Sequence, residues 1–142
     1  MSEKKSGEQA DRMAACLCGA LRVTVSGAPA LIHACSCLAC QRRSGSAFTY
    51  SAFFPDEQVR AVDGDSRSWR RAGHSGDYHE SHFCPVCGVT VYARLGAVPG
   101  MIAIAAGCFA EPGFDRPSRF YWTQTRHFWL GPVAGVEEAA QQ

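Results

Sequence analysis

The chain has 142 residues, enough for one domain with a genuine core and too few to suggest two. Hydrophobic residues make up 46% and charged residues 19%, the balance of an ordinary soluble globular protein, and a formal net charge of +1 supplies no global field to gather nucleic acid or an anionic membrane. No apolar run reaches the length of a membrane span and the polar stretch Met1 to Arg12 lacks the apolar segment of a secretory signal, so neither membrane nor nucleic acid is an expected partner and the cytoplasm is the expected compartment.

Residues 1–13 are polar and aperiodic and read as a mobile tail. Cys16-Leu17-Cys18-Gly19 opens the domain, and Ala20 to Val25 alternates like a strand up to the turn Gly27-Ala28-Pro29. Leu31 to Cys37 reads as a second strand, which runs into Cys35-Ser36-Cys37-Leu38-Ala39-Cys40. Leu38 to Arg43 can form one helical turn, stopped by Gly45, and Ala47 to Phe54 is a β-rich run ending at Pro55. Val59 to Val62 and Ser66 to Arg71 predict a hairpin around Asp63-Gly64-Asp65. Tyr78 to Phe83 leads into Cys84-Pro85-Val86-Cys87-Gly88, Val89 to Leu95 leaves it, and Met101 to Ala106 is a short apolar strand ended by Gly107. Phe120 to Trp129 is aromatic and β-prone, and residues 131–142 read as loosely held. Short strands with frequent turns and almost no helical periodicity predict a mainly β domain over 14–130, with no repeat and no interior linker.

Eight cysteines in a reducing compartment point to metal or redox chemistry before disulfides, and seven of the eight fall in three tight clusters. Cys84-Pro85-Val86-Cys87-Gly88 has the form of a zinc knuckle, and Cys16-Leu17-Cys18-Gly19 is a shorter version. Together they offer four thiolates, enough to close a tetrahedral structural site, the alternative being two unrelated buried cysteine pairs. Cys35, Cys37 and Cys40 put three thiols in six residues and leave little room for a fourth from the same segment. Three ligands and an open position are the form of a catalytic zinc site.

These motifs carry a resemblance to a known family, the glutathione-dependent formaldehyde-activating enzymes, which also contains centromere protein V. It rests on Cys16-Leu17-Cys18-Gly19, on the run from Cys35 through Arg42-Arg43-Ser44-Gly45-Ser46-Ala47-Phe48, on Phe83-Cys84-Pro85-Val86-Cys87-Gly88, and on Gly107 and Arg126-His127-Phe128-Trp129. The resemblance implies a folded-over β architecture called a β-tent, made of antiparallel strands and hairpins. It also implies two zinc ions per chain, a structural one at Cys16, Cys18, Cys84 and Cys87 and a catalytic one at Cys35, Cys37 and Cys40. The activity it implies is that of a carbon–sulfur lyase, joining glutathione or a related thiol to formaldehyde or another small aldehyde.

Attack on an aldehyde needs a thiolate, and a free thiol with a pKa of about 8.5 is mostly protonated at neutral pH. Arg42 and Arg43 can offset an anionic three-thiolate site or hold a glutathione carboxylate, or they can be a solvated surface pair. Gly45 and Ser46 can present N–H groups and a hydroxyl to the same carboxylate, or simply form the turn. His33, two residues before Cys35, is a proton shuttle, an extra ligand or, on the blander reading, a core histidine; His74, His79, His82 and His127 make no better case. Cys108 is expected to be a small buried cysteine at a strand end, and the competing expectation is that it closes the second metal site. A second reading is a non-catalytic zinc module that docks a partner, since Arg116, Arg119 and Arg126 interleave with Phe120, Tyr121, Trp122, Phe128 and Trp129. A third is chemistry like that of a methionine sulfoxide reductase, for which Cys108 is the only unassigned nucleophile.

Overall fold

The computed structural model describes residues 10–72 and 77–142. The elements in chain order are β1 (Asp11–Ala15), β2 (Arg22–Ser26), β3 (Leu31–Cys35), α1 (Leu38–Ser44), β4 (Thr49–Pro55), β5 (Val59–Asp63), β6 (Arg67–Ala72), β7 (Tyr78–Phe83), β8 (Thr90–Leu95), β9 (Met101–Ala105), β10 (Arg119–Tyr121) and β11 (Glu137–Ala139). The protein is mainly β, as the short alternating runs imply. Strands β1-β2-β5 form a small sheet, and a second sheet has the order β11-β10-β3-β4-β9-β8-β7-β6. Pairing is antiparallel except where β10 runs parallel to β3 and to β11.

Alternation along the strands gives the large sheet two faces with different tasks. Ile32, Ala52, Phe54, Ile102 and Ile104 point to one face and pack with Ala14, Leu21, Val23 and Val25 of the small-sheet side into the core. Phe54, Leu21, Ile102, Ile104, Val23 and Val25 are fully buried there, and each contributes roughly 1.5–3 kcal/mol of apolar burial. The opposite face carries His33, Cys35, Thr49, Ser51 and Phe53, and it lines a cleft.

The structure corrects several local expectations. β5 and β6 are strands, but they do not form a hairpin: β5 pairs with β2 in the small sheet and β6 with β7 in the large one. Asp63-Gly64-Asp65 is the crossover between sheets. Gly64 has φ +94 and lies so close to Ala20 that an added Cβ would sit 1.9 Å from its carbonyl oxygen, so backbone proximity, not a tight turn, requires glycine there. Pairing already begins at Asp11, where β1 meets β2, and Arg12 lies over the Phe114 ring at 4.8 Å. At the other end β11 adds itself to β10, with Glu137 paired to Arg119 and Glu138 to Arg126. The second strand stops at Cys35, because α1 starts immediately afterwards with Cys37 as its N-cap. Of the stretch Phe120 to Trp129 only the first residues are strand, and a 3-10 turn at Thr123–Thr125 follows. No helix among the described residues is long and apolar enough to cross a membrane.

Candidate metal centres and cleft

Cys16 and Cys18 sit in the turn after β1, and Cys84 and Cys87 in the turn between β7 and β8. The two turns are built alike. Gly19 N–H donates to Cys16 O and Gly88 N–H to Cys84 O, with both glycines left-handed at φ 83 and 80, a conformation costly for any residue carrying a Cβ. Leu21 N–H points at Cys16 Sγ and Val86 N–H at Cys84 Sγ, both at 3.3 Å. The Leu21 N–H, working against burial, pulls the Cys16 thiol down to about 6. Cys16 Sγ lies 3.7 Å from Cys18 Sγ, and Cys18 Sγ 3.7 Å from Cys84 Sγ; all four sulfurs lie within 4.8 Å of one another. A tetrahedron with metal–sulfur bonds of about 2.3 Å has sulfur–sulfur edges of about 3.8 Å, whereas a disulfide would need about 2.05 Å. The donor set, spacing and N–H⋯S bonds fit a tetrathiolate metal ion that ties the start of the small sheet to the β7–β8 hairpin.

Cys35 ends β3, Cys37 caps α1, and Cys40 lies in its first turn; their sulfurs also fall within 4.8 Å of one another. Cys37 N–H donates to Cys35 Sγ at 3.5 Å and Cys40 N–H to Cys37 Sγ at 3.3 Å. The Cys40 thiol is pulled down to about 5, first by its hydrogen bond with Cys35, against burial, then with help from Thr49, Cys37 and the Arg43 guanidinium. The same shared bond, together with burial, pushes Cys35 strongly up. Three thiols this close cannot all ionise unless a cation sits among them, and a divalent metal ion meets that requirement. Neither cluster includes Cys108. It is half-buried beside Thr90 O at 3.8 Å, and its thiol is pushed up by burial and then by the charges of Cys16 and Cys87, so it neighbours the four-thiol cluster and not the three-thiol one.

The loop carrying Cys35 and Cys37 is pinned by a polar network around Ser36, which is fully buried. Ser36 N–H donates to Tyr121 O, and its hydroxyl to Ala47 O. Its carbonyl accepts from Gln41 Nε2 at 2.8 Å and Thr125 Oγ1 at 3.0 Å. Gln41 Nε2 also donates to Thr125 O at 3.0 Å, and its Oε1 lies 3.0 Å from His127 Nε2. Trp122, left-handed at φ 60, turns the chain out of β10 into the segment that makes these contacts. A bulky residue in that conformation costs roughly 1–3 kcal/mol and persists only where surrounding structure holds it.

The three-thiol cluster opens on a cleft of about 630 Å³. Strand register lays out its floor: Cys35 beside Thr49, His33 beside Ser51 and Ala105, Phe53 beside Ala103 and Ala93, and Leu95 beside His79 and Arg71. Arg43, one helical turn after Cys40 and 3.6 Å from its sulfur, brings a guanidinium to the same space. Arg42 and Ser46 are exposed and are not among the residues lining it. His33 is on the Cys35 face, wedged between the rings of Tyr121 at 4.9 Å and Phe53 at 5.4 Å, and burial, then Arg119, lowers its pKa. His79 also lines the cleft. Burial first, then Arg43, with Arg71 adding to it, brings its pKa down to about 4. The sequence offered no reason to favour His79. The β7–β8 register could be counted from the Cys84–Cys87 turn, but not which face of that hairpin meets the thiols. His82 instead stacks on Tyr92 at 4.5 Å and bonds Glu80, while His74 lies outside the described residues. The interleaved cations are engaged internally: Arg119 and Arg126 with Glu137 and Glu138, and Arg116 with Ala134 O.

The sequence pattern described as glutathione-dependent formaldehyde-activating enzyme matches residues 11–128. A crystal structure of a Rhodobacter sphaeroides protein is similar in fold, with a TM-score of 0.55 and 20% identity over 72% of this chain and 90% of that one. No curated protein is matched.

Proposed function

The chain belongs to the glutathione-dependent formaldehyde-activating enzyme family, and on that premise we propose that it joins a thiol, glutathione or a close relative, to an aldehyde in the cleft beside Cys35, Cys37 and Cys40. The observation that supports this reading is the count of donors. Four thiols gather where the cluster ties two sheets together, but only three gather at the cleft, beside a guanidinium. In this proposal both ions are zinc, a structural one at Cys16, Cys18, Cys84 and Cys87 and a catalytic one at Cys35, Cys37 and Cys40. Zinc on three thiolates keeps a position open and would supply a Lewis acid that favours the thiolate form of an incoming thiol.

The chain's own groups divide the remaining work. Arg43 offsets the negative charge of the thiolates and offers two N–H donors to a substrate carboxylate. Arg42 and Ser46 are exposed and outside the cleft lining, so in this reading they meet at most the outer parts of a tripeptide. The reaction is balanced without redox change: the thiol gives up its proton, the sulfur–carbon bond forms, and the carbonyl π pair moves to oxygen, which takes a proton. In this reading His33, which lines the cleft on the Cys35 face of β3, carries that proton. The test is exchange spectroscopy of glutathione with formaldehyde, because the adduct also forms unaided and only the exchange rate reports catalysis. Acceleration by wild-type protein and its loss in Cys37→Ala are expected; no acceleration by metal-replete protein would remove the enzymatic reading and leave a non-catalytic zinc module.

A further inference from the structure

We propose that the aldehyde partner is not limited to one carbon: the cleft is built for a carbonyl compound bearing an aryl or medium-length alkyl group. This rests on the thiol–aldehyde reading of the site and deepens it.

The cleft runs away from the thiols along the sheet. Cys35 pairs with Thr49 at one end, and Phe53 lies further along the same face of β4, about 13 Å away at about 3.3 Å per residue. Between them the floor is kept low by Ser51 and Ala105, and level with Phe53 by Ala103 and Ala93, at positions where the opposite face of the same strands carries Phe54, Ile102 and Ile104. Small side chains in register on three adjacent strands leave a trough, which Phe53, Leu95 and Ala97 close at the far end. At about 630 Å³ the space is in the middle of the range, about 300–1,000 Å³, that holds a drug-sized ligand.

Charge is distributed unevenly over this space. Arg43 rises beside Cys40, and Arg71 pairs with His79 at the β6–β7 edge; these groups suit the carboxylates of a peptide-like thiol. Phe53, Ala103, Ala93, Leu95 and Ala97 line the far arm of the cleft with apolar groups, with Asp77, Tyr78 and His79 standing along its β7 side, and glutathione has little apolar surface to place against them. A one-carbon aldehyde, held at the sulfur, cannot reach it. An alkyl or aryl substituent on the carbonyl carbon fills the arm and removes apolar surface from water on both sides. The chemistry is otherwise the same: the sulfur–carbon bond forms, the carbonyl oxygen takes the proton, and the substituent stays on carbon.

Two measurements on metal-loaded protein test this. The first compares the rate enhancement over the spontaneous reaction for hexanal and for formaldehyde, each with glutathione. The second is calorimetric binding of S-hexylglutathione against S-methylglutathione, which needs no turnover. At least a tenfold preference for the hexyl partner is expected in both, and it should shrink towards unity in Ala103→Leu and in Ala97→Phe. The second of these alters an exposed turn position and avoids any folding cost at the buried floor. Formaldehyde accelerated with no gain for hexanal, and equal affinity for the two thioethers, would overturn the proposal while leaving the thiol–aldehyde reading intact. Acceleration of neither aldehyde would remove that reading, and the thioether comparison alone would then decide the apolar arm: a tenfold preference lost in Ala97→Phe upholds it, and equal affinities reject it.

Discussion

Gln41 is the residue through which the account of the cleft is most easily broken. Its side chain makes three hydrogen bonds, two from Nε2 to the carbonyls of Ser36 and Thr125 and one between Oε1 and His127 Nε2, at 2.8 to 3.0 Å. Ser36 lies between two of the three thiols and is fully buried, so these bonds set where Cys35 and Cys37 point. Gln41→Leu keeps the bulk and removes all three. At a net value of about 1 kcal/mol per bond the loss is about 2–3 kcal/mol, with Ser36 O still served by Thr125 Oγ1. For a domain of this length that is roughly 6–12 °C in melting temperature. Loosening the groups that orient metal ligands also typically weakens metal binding by about 10–100-fold. Gln41→Glu is the sharper variant: it keeps the acceptor for His127 but turns a second oxygen towards two carbonyls, and it should be at least as damaging as leucine. Thermal melts and competition with a zinc chelator read both quantities. If both variants melt within about a degree of wild type and hold zinc as tightly, the network does not position the loop and the reasoning is wrong.

Other consequences are expected of the same structure. Cys87→Ala should lose most of its soluble, cooperatively melting protein, whereas Cys37→Ala should stay soluble, melt a few degrees lower for the loss of the α1 N-cap (about 1 kcal/mol) and lose the cleft-side metal, as expression yield, melting and metal content will show. Cys108→Ala should leave thiol–aldehyde exchange rates unchanged, because Cys108 lies beside the four-thiol cluster; a loss of rate would place it in the chemistry instead. Phe54→Ala removes a fully buried ring from the core and should cost about 3–5 kcal/mol in urea unfolding. His79 makes a pH prediction. Its folded pKa is lowered to about 4 from an ordinary 6.5, by burial and then by Arg43, so between these values the unfolded chain binds more protons. Its contribution is therefore present above about 6.5 and lost as the pH falls towards 4, and urea midpoints of His79→Gln should fall less steeply than those of wild type across that window.

What could be read from the sequence was what is local. Thiol spacing is set within a single turn, so the three-thiol cluster, each half of the four-thiol cluster and the short helix after Cys37 follow from a few neighbouring residues, and the period-two alternation of Val23 and Val25 or Ile102 and Ile104 is visible without a partner strand. What could not be read depends on which strand lies next to which. Asp63-Gly64-Asp65 has the composition of a hairpin turn, but Gly64 passes against Ala20, forty-four residues earlier, and the chain changes sheets there. Arg119 and Arg126, which interleave with aromatic residues as a docking surface would, are instead ion-paired because Glu137 and Glu138 reach them once β11 has added to β10. The cleft itself is a product of register. Ser51, Ala93, Ala103 and Ala105 are unremarkable singly and become a trough only when β4, β9 and β8 bring them side by side.

The central claim is that the cleft-side cluster holds a metal ion with a position free for a substrate thiol. Its most direct test is to load the chain with cobalt(II) and titrate glutathione while following sulfur-to-cobalt charge-transfer absorbance. The expected result is a saturable rise corresponding to one added thiolate per chain, absent in Cys37→Ala. A spectrum that glutathione does not change, with both clusters filled, would mean that the position is closed and would contradict the account.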